Sequence, residues 1–195
     1  MRKPTMEKET VLTVFVALLA VIISAHLVFG ISGKNELPGD AFPPGAGTPV
    51  DGKHIAEAEK AVAGDPKNLA AWIQLGNDYF DADQPALAVS AYDKALELNP
   101  NDPEVLTDQG SCCMKIGWYD KAADNFEKAL KIDPNHEQSL VNLGIVYAVD
   151  LKQPDKALKA WGRFLELNPT CAAARQVRLW MEEIRANPEA LAEKK

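Results

Sequence analysis

The sequence predicts an all-α chain: an N-terminal transmembrane helix followed by a solenoid of three helix-turn-helix repeats with a capping helix at both ends. Three observations predict it. Trp72, Leu75, Gly76, Tyr79, Ala88, Tyr92, Ala95 and Pro100 form a pattern that returns twice downstream. Its period, Pro66 to Pro100 to Pro134, is 34 residues, lengthening to 35 from Pro134 to Pro169. Finally, Val11 to Ile31 is apolar and contains no Asp, Glu, Lys or Arg.

Residues 1–9 hold Arg2, Lys3 and Lys8 and precede the span 10–31. About 20 apolar residues cross a bilayer as a helix. A cleaved signal peptide is the rival reading, but Leu27, Val28 and Phe29 carry the apolar run past Ser24-Ala25 and no A-x-A site follows. The basic N-terminus and the lone Lys34 beyond the span place residues 1–9 in the cytoplasm and the repeats on the far side. Residues 32–52, with four prolines and five glycines, read as a flexible tether reaching on the order of 25 Å.

The next segment, 53–68, is a helix ending in Asp65-Pro66. It matches the second half of a repeat and caps the stack. The repeats follow at 69–102, 103–136 and 137–171, the third with one extra residue in its Asp150-Leu151-Lys152-Gln153 turn. Residues 172–195 give an amphipathic closing helix, with Val177, Trp180, Met181 and Ile184 on one side, and then a tail.

The recurring residues have physical reasons. Neither helix of such a pair buries its apolar face alone, so the units must stack. A glycine inside a helix costs about 1 kcal/mol against alanine, and close approach of helix A to helix B is its compensation at Gly76, Gly110 and Gly144. Ala88, Ala122 and Ala157 do the same on helix B, and Tyr92, Phe126 and Trp161 fill the space between. Asp102-Pro103 reads as an N-cap and first helical residue, and Pro85 and Pro154 start helix B in repeats one and three.

The W-x2-L-G-x2-Y…A-x3-F…P pattern of residues 69–171 resembles the tetratricopeptide repeat (TPR) superfamily. The resemblance implies a superhelix whose concave side is lined by helix A. Carried over position by position, it implies a peptide-binding groove of Ile73, Asn77, Phe80 and Asp81 in repeat one. Repeat two adds Thr107, Asp108, Ser111, Met114 and Lys115, and repeat three adds Val141, Asn142 and Ile145. Asn77 fits one position of the carboxylate clamp found in some TPR proteins. Lys115 is the single cation among these residues, which argues against a clamp for chaperone tails. Apolar patches beside acidic groups suit an amphipathic helix or an extended apolar peptide with basic residues.

Composition narrows the partners. The net charge of −7 at pH 7 becomes more negative once the basic N-terminus is set aside, which disfavours nucleic acid. Cys112 and Cys113 fall at interior helix-A positions and read as buried small hydrophobes, and there is no C-x2-C spacing for a metal. His54 and His136 fall at turns without a matched nucleophile or carboxylate, and no phosphate loop or hydrolase motif is present. No catalytic residue, cofactor or metal is expected.

The layout of anchor, tether, three repeats and closing helix also looks like the TPR accessory subunits of bacterial cytochrome c haem-lyase systems. The local likeness lies in Ala160-Trp161 and in Phe164-Leu165-Glu166-Leu167-Asn168-Pro169. That resemblance implies a single-pass inner-membrane protein with a periplasmic TPR domain, whose groove takes a segment of an apocytochrome or of another lyase subunit. The alternative is a structural assembly subunit of an envelope complex, or a self-oligomer, that exchanges no peptide.

Overall fold

A computed structural model describes residues 52–186. The segment 10–31 expected to cross a membrane, residues 32–51 of the expected tether 32–52 and the tail from residue 187 lie outside them, while Gly52 is the first residue of a helix. Among the described residues no helix is long and apolar enough to cross a membrane.

The described chain is helical throughout: α1 Gly52–Gly64, α2 Leu69–Asp81, α3 Pro85–Leu98, α4 Pro103–Lys115, α5 Tyr119–Ile132, α6 Glu137–Ile145, α7 Pro154–Leu167 and α8 Ala172–Ala186. Each helix packs on the next, and α2/α3, α4/α5 and α6/α7 are the three repeats.

The start of every helix A is fixed the same way. Asn68 and Asp102 accept hydrogen bonds from Ala71 N–H and Val105 N–H through side-chain oxygens, and His136 accepts from Ser139 N–H through Nδ1. Each satisfies one N–H that the first helical turn leaves open. The end of helix B is equally regular. Asp65, Asn99 and Asp133 turn back on the N–H two residues ahead, at Lys67, Asn101 and Asn135. Pro85 and Pro154 occupy the first helical turn of α3 and α7 as predicted.

The tightest contact within each repeat is the predicted one. A Cβ placed on Gly110 would lie 2.6 Å from Cε1 of Phe126. Gly76 lies under the ring of Tyr92 and Gly144 under that of Trp161 in the same way. Tyr92 and Phe126 are 0 % exposed, so the rings have no room to withdraw.

The extra residue of repeat three is taken up before the turn rather than inside it. Helix A there runs on as a turn of π-helix, Val146–Asp150. The bond that closes helix A is Gln84 N–H to Tyr79 C=O and Trp118 N–H to Cys113 C=O in the first two repeats. In the third it is Gln153 N–H to Tyr147 C=O, one residue longer. The left-handed residue of the turn keeps its place: Asp83, Gly117 and Lys152, with φ of 56°, 78° and 54°.

Both ends are closed by packing. Ala58 and Val62 of α1 join Leu75 and Ala91 in a cluster that Ile55, Trp72 and Tyr79 flank. At the other end Val177, Met181 and Ile184 of α8 are buried, and Trp180 packs on Trp161 at 5.4 Å between ring centroids.

The glycines separate two effects. Gly110→Ala is expected to destabilise the chain by about 1–3 kcal/mol through overpacking against Phe126. Gly162→Ala, inside α7 with nothing within 4 Å of its Cβ position, is expected to stabilise it by about 1 kcal/mol. Urea unfolding curves of the two variants check both signs.

Candidate functional site

The predicted groove residues divide into two groups when the helices are assembled. Ile73, Asn77, Asp81, Asp108, Met114 and Ile145 are partly exposed and Lys115 is exposed. Phe80, Thr107, Ser111, Val141 and Asn142 are buried.

The first group is richest around Tyr92, on α2 and α4. The hydroxyl of Tyr92 emerges from beneath Gly76 and donates to Asn77 Oδ1 at 2.6 Å. Burial raises the pKa of this phenol strongly, and Asp108, Cys112, Asp81 and Asp78 add to the effect. The same crowding acts on the acids. Burial pushes the Asp108 carboxyl up to about 7, with Glu104 and Asp102 contributing. Burial and then Asp78 raise Asp81, while Lys115 draws it down. Asp78 itself is held by Gln74 Nε2 at 2.7 Å. The one cation expected in the groove is already engaged. Lys115 Nζ pairs with Asp83 at 3.1 Å and lies 4.4 Å from the centre of the Phe80 ring. This face therefore offers a half-buried carboxylate, Asp108, with Asp81 close to the same phenol, and Ile73 and Met114 as its partly exposed apolar residues.

The polar members of the second group join repeats two and three. Asn142 Nδ2 donates to Ser111 Oγ at 3.2 Å, and Ser111 donates to the Thr107 carbonyl. Thr107 and Ser139 hydroxyls lie 2.6 Å apart, and Thr107 also donates to the Pro103 carbonyl. Their polar atoms are engaged within the protein, so these side chains hold the repeats together and do not present donors outward.

His136 corrects a sequence-based expectation. Read along the chain it has no matched carboxylate or nucleophile, yet folding brings both to it. Nε2 lies 3.0 Å from Glu104 Oε1, and Nδ1 lies 2.9 Å from Ser139 Oγ. The N-cap bond makes Nδ1 an acceptor and leaves the proton on Nε2, facing Glu104. The order carboxylate, imidazole, hydroxyl is that of a hydrolytic triad. Ser139 is 0 % exposed, however, and its hydroxyl already contacts Thr107. The arrangement is a seam between repeats, buried at His136, Ser139 and Thr107 and open at Glu104, whose side chain is 71 % exposed. His54 is likewise placed differently: it lies within the first turn of α1.

A second recurring spacing was not read from the sequence. Tyr79 donates to Glu59 at 2.6 Å and Tyr147 to Glu127 at 2.5 Å, each pair linking helix A to the preceding helix B. In repeat two Cys113 stands in place of the tyrosine, and Asp93 is bound instead by Gln109 Nε2 at 2.7 Å. Cys112 and Cys113 are both 0 % exposed, and burial raises both thiols, Cys113 to about 11. Neither is a ready nucleophile.

Three stacked pairs of antiparallel helices, closed by glycine-to-ring contacts at a 34-residue period, define a TPR solenoid. More particularly, the family described as the cilia and flagella-associated protein 70 middle TPR-like domain matches residues 77–182, and the chain belongs to that TPR-like family. The small glutamine-rich tetratricopeptide repeat-containing protein 2 of Mycosarcoma maydis is 32 % identical over 95 residues, which is 49 % of this chain and 27 % of that protein. Among solved structures, MamA superposes with a TM-score of 0.64 at 23 % identity, covering 71 % of this chain and 81 % of that one. That likeness concerns the fold. YrrB, described as a TPR protein with an unusual peptide-binding site, superposes with a TM-score of 0.59 at 28 % identity, covering 64 % and 63 %.

The raised Asp108 sets a pH dependence. Its folded pKa lies above its unfolded value, so its protonated form contributes stability that is fully present below about 4 and lost as pH rises through about 7. Asp108→Asn is therefore expected to raise the melting temperature relative to wild type at pH 8 and to change it much less at pH 5. Thermal unfolding at the two values checks the sign.

Proposed function

We propose that this protein is a non-catalytic adaptor that holds a segment of a partner protein on the helix-A face of repeats one and two. The observation that carries this reading is Asp108. It is a half-buried carboxylate that accepts no hydrogen bond from any described residue, and it acts on the same phenol, Tyr92, as Asp81 and Asn77, while Ile73 and Met114 are partly exposed on the same two helices. A lysine or arginine of an incoming peptide supplies a charged donor to it, and apolar neighbours in the peptide cover the two apolar side chains. The peptide-binding site named for YrrB, a structure of the same fold, supports the same use of the scaffold.

We further propose that residues 10–31 anchor the chain in a bacterial inner membrane, with 1–9 in the cytoplasm and the repeats in the periplasm. The uninterrupted apolar run and the basic residues before it support this. Within that setting the resemblance at 160–169 favours a segment of an apocytochrome or of a haem-lyase subunit as the cargo.

The test is a crosslinking pull-down from native membranes with the full-length chain, beside an Asp81→Asn, Asp108→Asn double variant. Wild type is expected to capture a partner that the variant loses. The captured segment, made as a peptide, is expected to bind at least about tenfold more weakly to the variant, the scale of one charge-assisted hydrogen bond. Its affinity for wild type is expected to rise as pH increases through about 7, because a cation on the peptide favours ionised Asp108. Equal capture by variant and wild type overturns the site. Capture of a partner unrelated to cytochrome maturation overturns the cargo assignment alone.

A further inference from the structure

The helix ends of the solenoid form two edges. The A-to-B turns lie along one, with the starts of α1, α3, α5 and α7, since Gly52, Ala86, Asp120 and Asp155 hold the same place in the register. The B-to-A turns lie along the other. The two edges differ in charge when each turn is taken with the first three residues of the helix that follows it. The first edge, 52–54, 82–87, 116–121 and 151–156, holds three Asp and four Lys. The second, 65–71, 99–105, 133–139 and 168–174, holds five Asp or Glu and one Lys.

The edges differ in apolar surface as well. On the first, repeat two has Trp118-Tyr119 where its neighbours have Gln84-Pro85 and Gln153-Pro154. The turn does not need the indole, because glutamine makes it in both other repeats. Trp118 is 51 % exposed, caps nothing, and its indole N–H donates to no described residue. Lys121 Nζ lies 5.7 Å from the centre of its ring. Tyr119, whose hydroxyl bonds Asp150, and Leu87 are also exposed on this edge. The other three tryptophans, Trp72, Trp161 and Trp180, are partly or fully buried. The second edge exposes Leu98 and Ile132 among its acids, and no aromatic ring.

An exposed indole with an open N–H, beside lysines with apolar stems, has the chemistry of a bilayer interface, dry at one end and wet at the other. The chain outside the described residues joins at this same edge, at Gly52, and its apolar run ends at Ile31. Building on the anchor reading above, we propose that the A-to-B edge rests on the lipid headgroups of that membrane, with Trp118 dipped among them and Tyr119 and Leu87 beside it. The acidic edge then points away from the lipid phosphates. A tether as short as 32–51 holds the edge at an effective concentration on the order of millimolar, so a contact made by one ring is populated. The helices run from edge to edge and therefore stand on the surface. The helix-A face then opens sideways, toward segments that protrude from the same bilayer.

The full-length chain in phosphatidylcholine vesicles tests this, beside Trp118→Gln, which carries the residue of the neighbouring repeats. Far-UV circular dichroism confirms that the variant folds. The emission of Trp118, taken as wild type minus variant, is read against two quenchers: a nitroxide on the lipid headgroup and acrylamide in the water. It is expected to be quenched by the nitroxide and to be shielded from acrylamide relative to N-acetyl-tryptophanamide. The nitroxide effect is expected to be lost in the variant. A ring that acrylamide reaches and the nitroxide does not lies in water, which overturns the contact. A ring shielded from both lies under protein, which overturns it too. Both results leave the anchor reading standing if the chain floats with the vesicles. A chain that does not float overturns the anchor, and this contact with it.

Discussion

Everything in this solenoid depends on how closely helix A can approach helix B. A glycine in mid-helix carries a backbone cost of about 1 kcal/mol, and it recurs three times because an aromatic ring lies flat on the peptide backbone there. The ring then decides what each repeat presents. Tyr92 is long enough to carry a hydroxyl through to the helix-A face, where it fixes Asn77. Phe126 ends inside the repeat. Trp161 directs its N–H to the Val141 carbonyl at 3.0 Å and turns its other side to Trp180 of the closing helix. One position in the repeat thus gives a polar face, a neutral core and an anchor for the cap, in that order.

The same geometry explains the acidic face. Asp108 sits on helix A of repeat two, and the bulk around it removes water from a carboxylate that has Glu104 and Asp102 as neighbours. A group held in that state is a liability to the empty protein and an attraction to a cation. Lys115 does not relieve it, being drawn outward to Asp83 and the Phe80 ring.

The scaffold was legible in the sequence because its rules are local and repeated. The Asp102 cap, the helix-ending prolines, the small-over-large pairs and both end helices follow from residue type and a count of 34, whereas the caps at Asn68 and His136 were not read. The extra residue was legible as an insertion, though its absorption as a π-turn at Val146–Asp150 was not, since either side of the turn could take it up. The site was read less completely. A positional rule puts Thr107, Ser111 and Asn142 on the same face as Asn77, but the distance between successive A helices determines which of them stay accessible. Repeats two and three close over a line of hydroxyls and amides, whereas Tyr92 of repeat one is surrounded by acids of repeats one and two that cannot pair with one another. The partners of His136 lie at Glu104, 32 residues upstream, and Ser139, on the helix it caps, so proximity along the chain revealed only one of them.

That seam has a meaning for assembly of the chain itself. Repeats built to one plan invite mistakes, because any helix pair can stack on any other. The interlocking set of Glu104, His136, Thr107, Ser139, Ser111 and Asn142 occurs at one junction only among those described. Glu104 is exposed at the edge of the set, but a repeat stacked out of order would bury the polar atoms of the other five without these partners, each costing about 1–3 kcal/mol. The seam acts as a keyed joint: it writes the order of the modules into the folded state, and so protects a near-periodic sequence from being read in the wrong frame.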